Sequence, residues 1–370
     1  MTTTGRQLTS TLYPDGKMIL ALEETEFVDP TGNQVLIRME AAPINPSDLF
    51  LMTGGADLEG AAYSAGRIEL QVHPQAAALQ AARHGVPQTI GNEGAGTVIS
   101  AGDGEMAQAL MGQRVACVPG NAFGEYALAD AKMCIPLGDH TVEEGASSFI
   151  NPMTALGFVE TAKREGNNAI IHAAAASNLG QMLCRICRED GLELVNIVRK
   201  QEQAELLKSQ GAVHVVNSSD SDFEQSLADA IDKTEAFLGF DPIGGGTMTD
   251  SCLRAMERVA AAKLPEFNRY GSDQPKKMYI YGRLDKSPTI LTPAFGFQWT
   301  VSGWLLMPFL ASCDMSTLTS MRKRVVSGLK TTFASSYKTR VGLDEMLTKA
   351  AFLDYAQMKT GEKYLVTPQA

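Results

Sequence analysis

No segment of the 370-residue chain reaches the ~18–20 uninterrupted apolar residues that a membrane helix requires. The most apolar stretch, Trp299 to Leu310, is short and carries Pro308. The polar start, Met1 to Ser10, has no basic flank followed by an apolar core, so no secretory leader is expected and the cytoplasm is the expected setting. Cysteine is sparse: six residues, at 117, 134, 184, 187, 252 and 313, form no dense framework, and reduced thiols are expected. Positive charge is in deficit. Lys and Arg number 32 against 42 Asp and Glu, and the net charge of −10 disfavours nucleic acid or an anionic membrane as partner, since both repel an acidic surface. A small anionic ligand is not excluded, because it needs only a local basic spot. No charge run or biased tract marks a disordered tail, and no repeat recurs at a fixed period.

What is present is an ordinary globular composition, 44% hydrophobic and 20% charged, in a chain long enough for two domains. The first third reads as strands and turns. Gln34 to Met39, Gly94 to Ser100 and Arg114 to Val118 are β-type runs separated by Asp29-Pro-Thr-Gly32, Ala101-Gly-Asp-Gly104 and Pro119-Gly120. The Ala-rich stretch Gln75 to His84 reads as a helix inserted into a loop. From about residue 151 strands and helices alternate: strands at 168–173, 192–198, 213–216, 236–240 and 277–281, with helices at 179–189, 201–210, 223–233 and 247–261. Alternation of this kind argues for a parallel sheet covered on both faces. After about residue 310 the chain is helical again and ends in the extended Lys363-Tyr-Leu-Val366, a strand that could rejoin the first domain.

Between the predicted strand at 168–173 and the helix after it lies His172-Ala-Ala-Ala-Ala-Ser-Asn-Leu-Gly180. A dinucleotide-binding fold puts its phosphate turn there, with helix N-terminal amides facing the pyrophosphate. The G-x-G-x-x-G pattern would fall on Ala175, Ser177 and Gly180, and only the last is glycine. Small side chains still allow close backbone approach, so Ala175, Ser177, Asn178, Leu179 and Gly180 are candidate cofactor contacts; an Ala-rich turn opening a buried helix is the other reading. An NAD site wants a carboxylate ~20 residues on. This chain has Val198-Arg199-Lys200 instead, and two cations suit the 2′-phosphate of NADPH, the alternative being a solvated basic loop.

These and other segments resemble the medium-chain dehydrogenase/reductases, within them the zinc-independent quinone reductase and enoyl reductase branches. Ala42-Pro-Ile-Asn-Pro-Ser-Asp48 is similar to their N-P-x-D segment and Gly91-Asn-Glu-Gly-Ala-Gly-Thr-Val98 to G-x-E-x-x-G-x-V. Ile150-Asn-Pro-Met-Thr-Ala155 resembles N-P-x-T-A, and Phe240-Asp-Pro-Ile-Gly-Gly245 resembles D-x-x-G-G. Thr360-Gly-Glu-Lys-Tyr-Leu-Val-Thr-Pro368 is similar to the terminal T-G-K-x-V-x-P strand. The resemblance implies an α/β protein: a GroES-like, mostly β catalytic domain from residues 1–151 and 311–370, and a Rossmann-type doubly wound cofactor domain from 152–310. It also implies NADPH as cofactor, Gly282 among the cofactor contacts, a small conjugated acceptor as substrate, and a homodimer.

Zinc-bearing relatives place Cys and His where this chain has Asn45 and Asn92, and their third ligand falls near Asn151 or Pro152. Asparagine is a poor zinc ligand, so no metal is expected. Cys184 and Cys187, one turn apart on a helix, read as core packing. Without a Lewis acid, the resemblance leaves hydride delivery to a quinone or another conjugated carbonyl, the alternatives being enoyl thioester or alkenal reduction, or nucleotide binding without catalysis. It implies Asn45 as a polar contact near the nicotinamide and Thr154 as a contact to its carboxamide or ribose, the alternative being that each is a local cap or turn residue. The tyrosines of the branches are missing: Phe50 stands at one position, Gly55 and Ala56 at the other, with Tyr63 in the inserted stretch as a conceivable substitute.

Overall fold

In the computed structural model, which describes residues 2–359, 361 and 363–370, the chain divides into two compact units. One runs to Ile150 and resumes at Arg322, and the other is residues 151–321. The chain resumes at 322 and not at 311 because the intervening segment packs on the second unit. Trp304 and Phe309 stack with centroids 5.3 Å apart, a side chain at Gly157 would meet both, and Arg164 donates to Ser312 and Cys313.

The first unit is built on two sheets. Thr3–Leu12 and Lys17–Phe27 form a long antiparallel hairpin closed by Asp15 and Gly16, whose φ of +84° only glycine adopts without strain. Arg67–Gln71 and Ala62–Ser64 extend it on one side and Gln88–Thr89 on the other. In the other sheet Gln34–Pro43 is central: it pairs with Gly94–Ala101 and Tyr126–Asp130, and its end receives the C-terminal strand Tyr364–Val366. Thr360 and Glu362 of the terminal motif lie outside the described residues. The long helix expected at 75–84 is replaced by a short helix, Pro74–Ala78, and a single 3-10 turn, Ala81–Arg83. The stretch has no apolar stripe to bury, and its Leu79 is 90% exposed.

The second unit is α/β. Six parallel strands lie in the order His214–Asn217, Glu193–Val198, Ala169–His172, Leu238–Asp241, Lys276–Ile280, Trp299–Gly303. In chain order this is 3-2-1-4-5-6, which reverses beside Ala169–His172; ligands of open parallel sheets bind outside the strand ends at such a switch point. Helix Asn178–Asp190 buries Leu179, Met182, Leu183, Ile186 and both cysteines on its sheet side. Phe158 stacks on Phe240 at 4.0 Å and meets Tyr281 and Trp304 edge-on, burial that stabilises by roughly 2 kcal/mol per ring. The run after Phe295 is only partly core: Trp299–Gly303 is an edge strand with Trp299 and Thr300 exposed.

Candidate functional site

In the parallel-sheet unit, the chain leaves Ala169–His172 and turns through Ala173–Ser177 into helix Asn178–Asp190. Ser177 is the N-cap: its hydroxyl accepts from the Gly180 amide at 3.1 Å. Ala174 takes a positive φ of 50°, which shapes the turn. A Cβ at Gly180 would overlap the backbone of Ala175, so the helix start can lie against the turn only with glycine there. Ala175 is fully buried and donates its amide to Ile197 O at 3.0 Å. That bond brings the turn to the end of the second strand, where Arg199 and Lys200 are both exposed; Arg199 is held through its backbone by Gln203 and Ser219. Gly282 follows Lys276–Ile280, and a Cβ on it would meet Pro242 O at 2.6 Å. Thus Ala175, Ser177, Asn178, Leu179, Gly180, Arg199 and Lys200 gather on one side of the switch point, and Gly282 on the other.

Two buried groups tie these pieces together and were not anticipated. His172, fully buried, shares a 2.7 Å hydrogen bond through Nε2 with the Tyr281 hydroxyl, and burial holds its pKa down at about 3, so the imidazole stays neutral. Its Nδ1 has no partner. Asp241 accepts from the Ile243 amide at 2.7 Å and from Thr249 at 2.8 Å, shaping the turn against which Gly282 packs, while burial raises its pKa. Thr154 sits in the first turns of helix Ile150–Arg164 and is 6% exposed.

In the β unit, Asn45 precedes helix Pro46–Thr53 and is 3% exposed. Its backbone amide donates to Asp48 at 2.8 Å, and its Nδ2 donates to Glu93 at 2.9 Å. The Glu93 contact fixes the amide's orientation, and Oδ1 is left buried without a partner. Glu93, wholly buried, also accepts from the amides of Phe149 and Ile150, at the start of the next helix, where a carboxylate complements the helix dipole. Asp48 accepts a second amide, that of Asn92, at 2.8 Å; burial outweighs these bonds and pushes its pKa up to about 7. Asn92 donates its side chain to Ser47. Phe50 points outward at 56% exposure, and Tyr63 donates its hydroxyl to Leu58 O at 2.8 Å while packing on Phe352, so its proton serves the local fold. The signal for Asp48 was readable: an Asn followed three residues later by an acid, with proline between, is a helix-capping pattern.

Among the described residues no three His, Cys, Asp or Glu side chains are placed to hold a metal, and no helix is long and apolar enough to cross a membrane.

A β unit of this topology joined to a parallel sheet with a small-residue turn at its switch point defines a two-domain dehydrogenase/reductase fold. Residues 31–139 match the alcohol dehydrogenase GroES-like domain. The chain is 26% identical over 250 residues to the bovine mitochondrial enoyl-[acyl-carrier-protein] reductase, covering 64% of this chain and 59% of that one. It is 26% identical over 230 residues to mouse quinone oxidoreductase, covering 60% of each. A solved structure from Mesorhizobium loti, described provisionally as an NADPH:quinone reductase, is 25% identical with a TM-score of 0.73, covering 99% of this chain and 98% of that one. In fold and in these matches the chain is similar to the medium-chain dehydrogenase/reductases. Its aligned regions span about three-fifths of the length of these two curated relatives.

Proposed function

We propose that the protein is an NADPH-dependent reductase that delivers hydride to a quinone or similar conjugated carbonyl without zinc. The observation that carries this reading is the turn Ala173–Ser177 at the sheet's switch point, held within one hydrogen bond of the strand that ends in the exposed pair Arg199 and Lys200. The residues present fit the dinucleotide: the cradle beside Gly180 is one that a Cβ would fill, the helix amides there suit a pyrophosphate, and the two cations suit a 2′-phosphate. The description of the Mesorhizobium loti protein supports the same cofactor and acceptor.

NADPH, when bound, supplies the hydride. The protein's part is then to hold, orient and polarise. Ser177, Asn178, Leu179 and Gly180 hold the phosphates, Arg199 and Lys200 the 2′-phosphate, and Gly282 allows close backbone approach. Asn45 offers an unpaired carbonyl oxygen to a donor such as a carboxamide, and Thr154 a hydroxyl. A quinone takes its protons at oxygen, where solvent can supply them, so the missing tyrosines are no obstacle; enoyl reduction needs a proton at carbon, and Tyr63 already spends its own on Leu58. Zinc-free chemistry is supported by the donor set: Asn45 and Asn92 turn their amides to Glu93 and Ser47. A homodimer is supported by the edge strand Trp299–Gly303, with exposed Phe297, Leu305 and Met307 beside it, since an uncovered edge invites pairing with a second copy. Six free cysteines suit a reducing compartment such as the cytoplasm.

The test is NADPH oxidation followed with quinones, alkenals and an enoyl thioester, with and without a chelator. Chelator-resistant turnover of a quinone is the expected result. Loss of activity with chelator would remove the zinc-free claim, preference for the thioester would favour an enoyl reductase, and tight NADPH binding with no turnover would favour a non-catalytic nucleotide-binding protein. In the same assay the double variant Arg199→Ala/Lys200→Ala should raise KM for NADPH by about 10- to 100-fold, the loss of one or two charge-assisted contacts, with little change for NADH. Equal effects on both cofactors would show that these cations do not read the 2′-phosphate.

A further inference from the structure

The β unit contains a chain of polar groups, half-buried at Tyr337 and Lys363 and fully buried at Glu93, that begins in the C-terminal segment and ends at Asn45. Tyr337 donates its hydroxyl to Ser147 Oγ at 2.9 Å, and Lys363 Nζ donates to the same oxygen at 2.8 Å. Ser147 and Ser148 are buried and lead directly into Phe149 and Ile150, whose amides hold Glu93 at 3.0 and 2.8 Å. Glu93 in turn takes the Asn45 Nδ2. On the far side of Asn45 stands Asp48, fixed by the amides of Asn45 and Asn92.

Two carboxyl groups are thus enclosed in one polar cluster, and burying like charges is costly without compensation. Neither makes an ion pair closer than 4.0 Å to any described cation; Lys363 lies beyond that distance, and while burial lowers its pKa, Glu93 and Asp48 both act to keep it charged. The groups facing Asp48 are Glu93, which disfavours its charge, and Lys363, which favours it. Tyr337 faces Glu93 and Glu143, and burial drives its hydroxyl far up, so it stays protonated and donates.

We propose that Lys363 is a positioning residue of the candidate site: anchored on Ser147, its ammonium balances Glu93 and Asp48 and so fixes the orientation of the Asn45 side chain. The link to turnover rests on the reductase reading given above; the link between Lys363, Asp48 and Asn45 does not, and the experiment reads the second without the first.

The experiment is urea unfolding of the full chain between about pH 5 and pH 9, for the native protein and for Asp48→Asn, Lys363→Met, Lys363→Arg and Asn45→Ala, with the doubles Asp48→Asn/Lys363→Met and Asn45→Ala/Lys363→Met. Asp48 has a folded pKa of about 7, above its ordinary 3.8, so the folded state holds the extra proton between those values. Relative to Asp48→Asn, the native protein therefore loses stability as pH rises toward about 7 and levels off above it. Without the Lys363 charge, that levelling-off should move up by about one pH unit, a tenfold change in proton affinity, and Lys363→Arg should restore it. The Asn45→Ala and Lys363→Met effects should be non-additive.

A uniform loss of stability at every pH in both Asp48 backgrounds would show that Lys363 only packs, and would overturn the proposal. Strict additivity with Asn45→Ala would overturn the connection to the site. If no acceptor in the panel is reduced, the reductase reading fails while both unfolding results stand on their own.

Discussion

Gly180→Ala should weaken NADPH binding by at least about a hundredfold while the chain stays folded, the scale expected when a binding geometry is displaced by about an ångström. The added methyl would sit within the contact distance of Ala175 backbone atoms, and a backbone cannot rotate aside as a side chain can. Either the helix Asn178–Asp190 backs away from the turn or the turn opens, and in both cases the amides around Ser177 no longer converge. Ser177→Ala makes a graded control. It removes one cap bond, at a cost of about 1 kcal/mol to the helix start, and should weaken the cofactor by less than Gly180→Ala does. Fluorescence titration with NADPH checks both, and circular dichroism with thermal unfolding checks that the unit remains intact. Binding by Gly180→Ala as tight as by the native chain would mean that the turn is a structural bend and that the dinucleotide sits elsewhere.

The parallel-sheet unit was legible because its elements are local and strongly patterned. Five of its six strands are short runs carrying apolar residues, the helices between them show apolar stripes, and Gly191 and Gly211 punctuate the ends. Legibility failed where stability comes from partners distant in sequence. The hairpin Thr3–Leu12 and Lys17–Phe27 went unread because both strands carry many polar and charged residues, and their pairing is decided across the turn by register. Pro14-Asp15-Gly16 was the available signal. The same holds for the site. Asn45 and the small-residue turn were visible as motifs, whereas Glu93, Ser147, Tyr337 and Lys363 become a group only through contacts spanning most of the chain. The edge strand Trp299–Gly303 was hidden for a different reason: an apolar run reads as core or as a packing face between copies, with no sign of a strand, and here its first residues face outward beside a single strand neighbour.

Lys276→Met should cost about 3–5 kcal/mol of unfolding stability near neutral pH, among the largest effects expected from a single side chain in this protein. Lys276 is wholly buried, and its Nζ lies 2.7 Å from Glu257 Oε2, 2.9 Å from Ser272 Oγ and 2.7 Å from Gln274 O. Ser272 closes the group by donating its amide and hydroxyl to the same carboxylate, at 2.8 and 2.6 Å. The carboxylate is so close to Gly271 and Gly296, both at positive φ, that neither position admits a side chain. The cluster therefore pins two loops onto helix Met248–Ala262, one before Lys276–Ile280 and one before the edge strand. Burial alone would raise the Glu257 pKa, but the bonds from Lys276 and Ser272 reverse this and lower it below 4.5. The pair thus contributes stability above pH ~4.5, and that contribution is lost as pH falls through the lowered value. Methionine at 276 fills the space and leaves Glu257 with a buried, unbalanced charge, so its carboxyl should then protonate more readily. The deficit of Lys276→Met should shrink as pH falls toward about 4–5, and Lys276→Met/Glu257→Leu should recover most of the loss, since well-packed apolar replacement of a buried pair is often neutral. Denaturant unfolding across pH checks both. A deficit below about 1 kcal/mol, or one independent of pH, would mean that water reaches Glu257 and that the loops are held by their backbone bonds alone.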